Sequence, residues 1–389
     1  MRIIHVEDRF EPRAGYQINE MIKLHLENGN EVIIITSDRP IFSQYESLLE
    51  QDSILIEKYS NLKIIRLKPL LVISSRYFFN GLFKLIDSLQ PDVLYLHGIA
   101  DFKDLMLLKR RKKYLIFRDC HMSWVASKNK FNKLFAWFFK HTFSIILNNT
   151  DQYRVIYSLG VEEKEYLEAL GINDQKIGYL PHGYNKEQMY FSLEQRQEIR
   201  KELGYTDDTL FISYIGKFDY FKRPDLIFNI FSFIPEQLIK ENQIKFLFIG
   251  PFDSQYRDFF MDKFNEFQFK DLCILLDKQD YQDLYKFYSA IDVALWPREC
   301  TLSSLHAQVC NTIVIMENHK SNIERVYDQS NLFNIGDIEH ASEILIKVIK
   351  NFEDKNNDYS IQSFLENREY SYQIQHLEDS WKALLGSKQ

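Results

Sequence analysis

Two lysines five residues apart stand in the run Tyr214-Ile215-Gly216-Lys217-Phe218-Asp219-Tyr220-Phe221-Lys222-Arg223-Pro224. A strand pattern ends at Ile215, Gly216 opens a loop, and a helix pattern follows Pro224. Two cations beside the free backbone N–H groups of a helix start make an anion site, and a diphosphate suits the spacing. Solvated loop lysines are the plainer reading of the same residues.

A second group follows a buried strand pattern that ends at Trp296-Pro297. Glu299 lies in the loop, and a Ser-capped helix starts near Ser303. An anion can rest on that helix start, Glu299 can accept bonds from hydroxyl groups, and His306 stands one turn further on. A loop carboxylate and a packed helix histidine are the alternatives. A third group, Asp119-Cys120-His121, comes just after a strand pattern at 114–117. An imidazole there can bond a hydroxyl or a reacting oxygen, although a lone His is often only structural. Gly15, after the first strand, permits close backbone approach to a ligand or makes a simple turn.

Several chemistries are missing. No G-x-G-x-x-G follows a strand, so a dinucleotide fingerprint is absent. No D-x-D pair offers a metal clamp, which leaves any diphosphate to the lysines. The four cysteines form no C-x-x-C and no zinc spacing, as expected of reduced thiols in a cytoplasmic protein. The net charge of −7 argues against a nucleic-acid binder.

These groups need elements to hold them. Short β-branched runs at 2–6, 32–36, 62–67, 93–96, 114–117 and 154–157 alternate with helical stretches. Those stretches are expected after Gly15 and near 76–89, 102–110, 130–143 and 161–169. The pattern restarts with strands at 210–215, 244–249, 272–276, 293–296 and 313–316. Alternation of this kind implies parallel sheets covered on both faces. The fold class is therefore α/β, with two Rossmann-like doubly wound domains facing across a cleft. The expected domains are 1–186 with a returning C-terminal helix at 370–389, and 187–369. In such sheets ligands bind beyond the carboxyl ends of the strands, where all three groups lie.

The charges near the N-terminus arrive too early for a signal peptide, and no apolar run reaches the ~18 residues needed to span a bilayer. A soluble protein is expected, at most peripheral on the inner face of a membrane. One segment bears on that contact. From 128 to 143 lysines alternate with Phe131, Phe135, Trp137, Phe138 and Phe139. It reads either as a bilayer-docking stripe or as a helix with one core face and one solvated face.

The ordered set of motifs resembles the retaining family-4 (group 1) glycosyltransferases of the GT-B fold over nearly the whole chain. Gly15-Tyr16-Gln17 resembles their acceptor-side loop, and Asp119-Cys120-His121 their Asp/His motif near the transferred sugar. Tyr179-Leu180-Pro181-His182-Gly183 resembles the stretch between their domains. Gly216-Lys217 with Lys222 matches the pair of cations that holds a donor diphosphate, and Phe248-Ile249-Gly250 a donor-side strand end. Glu299 matches the first of two glutamates, but His306 stands where the second, a ribose ligand, is expected.

The resemblance implies transfer of a sugar from a nucleotide diphosphate sugar to a hydroxyl, with retention and without a metal or other cofactor. Lys217, Lys222, Glu299 and His121 would be catalytic. Gly216, Gly250, Leu302, Ser303, Ser304 and His306 would bind the donor, while Gly15, Tyr16 and Asp119 would face the acceptor. That acceptor would be a surface glycan or a lipid-linked saccharide. A sugar-nucleotide epimerase and a non-catalytic partner protein are the other classes left open.

Overall fold

A computed structural model describes residues 1–41, 43–73, 76–108, 114–122, 131–206, 208–298, 302–352 and 359–386. The chain divides into two compact units. One comprises Met1–His182 with Tyr370–Gln389, the other Gly183–Glu369.

The first unit holds β1 (Arg2–Val6), β2 (Glu31–Ser37), β3 (Leu62–Leu67), β4 (Leu71–Ile73), β5 (Arg76–Phe78), β6 (Val93–Leu96), β7 (Leu115–Cys120), β8 (Tyr153–Ser158) and β9 (Ile177–Tyr179). Seven of them form a parallel sheet in the order β3-β2-β1-β6-β7-β8-β9. Strands such as β2 are buried along nearly their whole length, as a sheet covered on both faces requires. The helix Gln17–Glu27 buries Ile18, Met21, Ile22 and His25, three or four residues apart. Gly29, in the left-handed region at φ 77°, closes it. The C-terminal helix Tyr370–Gly386 packs Ile374, Leu377 and Trp381 with Ile3, Tyr95 and Phe117 of the sheet. That burial ties the end of the chain to the first unit.

The second unit holds β10 (Phe211–Ile215), β11 (Lys245–Ile249), β12 (Cys273–Leu276), β13 (Val293–Trp296), β14 (Ile313–Glu317) and β15 (Leu332–Phe333). They form a parallel sheet in the order β12-β11-β10-β13-β14-β15. Its core is rich in phenylalanine, with Phe218, Phe228, Phe231, Phe246, Phe248 and Phe260 in one cluster.

Strand order reverses between β1 and β6 in the first sheet and between β10 and β13 in the second. Neighbouring loops leave in opposite directions at such points and open a crevice at the carboxyl ends of the strands.

Several elements differ from the sequence expectation. The helix expected at 76–89 is shorter, Leu82–Leu89, because Arg76–Phe78 pairs antiparallel with β4 as a hairpin. The stretch expected as a helix at 102–110 is a 3₁₀ segment, Phe102–Leu108. The strand expected at 114–117 runs on to Cys120, so Asp119 and Cys120 belong to it rather than to a following loop. Arg118 extends the strand inward because Asp104, Asp101 and the Gly98 carbonyl meet its buried guanidinium.

Candidate functional site

Each unit collects its candidate residues at the point where strand order reverses. In the second unit Gly216 leaves β10, and its N–H bonds the Ile249 carbonyl at 2.9 Å. Gly250 lies so close that a Cβ there would stand 1.8 Å from the Gly216 oxygen. With φ at 150°, Gly250 is required by this backbone approach.

The loop beyond Gly216 is built by Asp219. Its Oδ1 accepts the N–H groups of Phe221 and Lys222 at 3.0 and 2.8 Å. Arg223 adopts φ 47° and pairs with Asp225 at 2.7 Å. Lys217 stays exposed, with its Nζ 3.3 Å from Asp219 and 3.5 Å from Asp253. The hydrogen bond to Asp219 raises its pKa. Lys217 and Lys222 are therefore carried on one ordered loop, and two carboxylates share the first cation. The following helix is short, Leu226–Ser232.

After β13, Trp296 donates its indole N–H to the Ile215 carbonyl at 3.2 Å and so joins the two loop origins. Arg298 pairs with Glu317 at 2.8 Å. Glu299 lies outside the described residues. The helix begins at Leu302, one residue before the expected start; Ser303 is half-buried and Ser304 buried. His306 is 3% exposed, and the rings of Tyr281 and Tyr288 stand edge-on to it at 5.6 and 6.1 Å. Burial lowers its pKa to about 4, so the imidazole is neutral, and its Nε2 has no hydrogen-bond partner among the described residues.

The first unit assembles a row of imidazoles, of which sequence reading picked out His121 but not His97, His5 or His25. Asp119, at the end of β7, accepts His97 Nδ1–H at 2.7 Å and Gly98 N–H at 2.9 Å. His121 Nε2 stands 3.2 Å from its other face. His97 Nε2 in turn stands 3.0 Å from His5 Nδ1, and the tautomers decide which of the two rings donates. Behind this row the His25 ring lies 5.4 Å from His5, and His25 bonds Glu378 of the C-terminal helix at 2.7 Å.

The electrostatics divide the row. Burial alone would raise Asp119, yet His121 and His97 hold it well below the usual carboxylate range. Partial burial works against a charge on His121, but Asp119 outweighs it and raises His121 to about 9. Its side chain is 42% exposed, so it is the end of the row that meets solvent. Burial, then His97 and His25, push His5 well down and keep it neutral. Burial also pushes up the carboxyl of Glu7, which follows β1. Gly15 adopts φ 70° in open space, and Tyr16, 48% exposed, precedes the helix that follows β1.

Among the described residues, His97, Asp119 and His121 bring three ligand atoms within 4.8 Å of one another, a set able to gather a divalent cation. A metal there would have to replace the hydrogen bonds that His97 and Asp119 already make.

Neither His5 nor His97 has a local sequence signal. Each lies in or beside an apolar strand run, and the two are 92 positions apart. Only strand order brings them together.

Residues 195–363 match the model of a family described as glycosyl transferases group 1. No curated protein sequence matches the chain. Among solved structures, a glycosyltransferase from Rickettsia africae aligns at TM-score 0.73 and 13% identity, covering 99% of this chain and 98% of that one. HepE from Anabaena in complex with UDP aligns at 0.71 and 12%, covering 98% and 100%. Sucrose-phosphate synthase from Thermosynechococcus elongatus aligns at 0.67 and 15%, covering 99% of each. At these identities the likeness is one of fold, and that fold is GT-B.

Proposed function

From a chain that has the GT-B fold and carries a group 1 glycosyl transferase domain, we propose a retaining glycosyltransferase that uses a nucleotide diphosphate sugar. The bond from the anomeric carbon to the diphosphate breaks, and a bond from that carbon to an acceptor oxygen forms. The acceptor hydroxyl passes its proton to an oxygen of the departing diphosphate. The observation that carries this reading is the ordered loop of Gly216 to Pro224, which presents Lys217 and Lys222 beside the reversal of strand order.

Negative charge grows on the diphosphate as it leaves, and preorganised cations stabilise that charge more than the ground state. Lys217 and Lys222 take this role without a metal. The start of the helix Leu302–Val309 adds backbone donors, and Glu299 holds hydroxyls of the sugar. His121, kept cationic by Asp119, orients the donor sugar or the acceptor hydroxyl. The first unit, with Gly15 and Tyr16, serves the acceptor, a surface glycan or lipid-linked saccharide. HepE crystallised with UDP makes uridine nucleotides the first donors to try.

A second reading has one observation behind it. Buried, neutral His306 leaves the donor side without a second carboxylate, as a binding partner without turnover would tolerate.

The test is thermal shift and nucleotide release against UDP-, GDP-, ADP- and dTDP-sugars in EDTA. One donor should raise the melting temperature and be slowly hydrolysed. Stabilisation without release would favour the second reading, and activity only with added metal would remove the lysine-only diphosphate site.

A further inference from the structure

The first unit carries an apolar surface that neither candidate site uses. The helix Asn132–Lys140 turns Ala136 and Phe139 inward. Leu134, Trp137 and Phe138, at helical spacing, face solvent instead; Leu134 is 65% and Trp137 60% exposed. Phe131, just before the helix, is exposed as well. The β4–β5 hairpin adds Leu71 and Ile73, both exposed. Arg76 of that hairpin lies 5.7 Å over the ring of Phe135, so hairpin and helix are neighbours. Isolated exposed apolar residues are ordinary, but a cluster drawn from two adjoining elements marks an interaction surface.

Charge identifies the partner. The whole chain has more acids than bases, 55 against 48. Yet no Asp or Glu occurs from Cys120 to Thr150, nor from Tyr59 to Ile86. Lys133 and Lys140 are exposed, two turns apart, on either side of Trp137 along the helix. The core of a protein interface is depleted of lysine, whereas an interfacial helix pairs an aromatic face with a lysine collar.

We infer that this face docks on an anionic lipid bilayer. The helix lies in the plane of the interface, with Trp137, Leu134 and Phe131 below the headgroups and Lys133 and Lys140 among the lipid phosphates. The hairpin makes the second contact. The inference rests on this surface alone and is independent of the reaction proposed above.

The experiment is co-sedimentation of the full chain with vesicles of phosphatidylcholine, with and without phosphatidylglycerol, at low and high salt. Wild type should bind the anionic vesicles at least about tenfold better, with the difference shrinking as salt screens the lysines. The double variant Leu134→Ser, Trp137→Ser should lose at least about tenfold of that binding, since its apolar contact is gone. Both side chains point away from the core, so its melting temperature and circular dichroism should match wild type. If those change, Lys133→Glu with Lys140→Glu tests the same surface without touching apolar packing.

Absence of vesicle binding by wild type, equal binding to neutral and anionic vesicles, or unchanged binding by a folded variant would overturn the inference. So would a wild-type dimer that ignores vesicles and becomes a monomer in the serine variant.

Discussion

The two candidate sites solve opposite problems with the same strand topology. In the first unit charged groups are buried and spent on one another, as Asp119 bonds His97, Gly98 and His121. In the second unit the hydrogen bonds of Asp219 shape the loop, and Lys217 remains in solvent. Buried pairs are costly to break, because the survivor stays desolvated. Exposed pairs contribute little to folding and can be given to a ligand. The buried charges of the first site should therefore be sensitive in stability, and the exposed lysines of the second in activity alone.

The largest expected stability effect breaks the buried row. Asp119→Ala strips the acceptor from His97 and from the Gly98 N–H, and should cost about 3 kcal/mol in chemical denaturation. A loss below about 1 kcal/mol would mean that water already satisfies the row. Next comes Gly250→Ala, whose Cβ would meet the Gly216 oxygen at 1.8 Å. Since backbone cannot swing aside, this change should cost about 2 kcal/mol or more and displace the lysine loop, read by thermal melting.

The pH dependence sharpens the contrast. The folded pKa of His121, about 9, stands above that of a free imidazole. The stability it contributes is present below about 6.5 and is lost as pH rises through about 9. Wild type should lose more stability than His121→Gln between neutral pH and pH about 10. Parallel curves for the two proteins would remove the His121–Asp119 coupling. The smallest effect is Lys217→Ala, expected to change stability by no more than about 0.5 kcal/mol, since the lysine side chain itself is exposed.

The sequence disclosed the two sites unequally. Strands such as β6 and β13 are continuous apolar runs, legible because both faces of the sheet are covered. The loop after Gly216 was legible because its glycine, lysines and proline are local punctuation. In the first unit Asp119 and His121 were legible as a pair, but the row behind them was not. Buried His5 counts as one more core residue in its run, and Arg118 and Asp119 break the apolar pattern inside β7. Their partners come from other strands and from the 3₁₀ segment, so no window of sequence contains the pairing. Apolar spacing also made β5 read as the start of a helix.

The most direct test of the account is turnover of Lys222→Ala with the donor that stabilises wild type. Transfer should fall by about two orders of magnitude or more, with the melting temperature of the free protein unchanged. Near-wild-type turnover by the folded variant would contradict the assignment of this loop to the donor diphosphate.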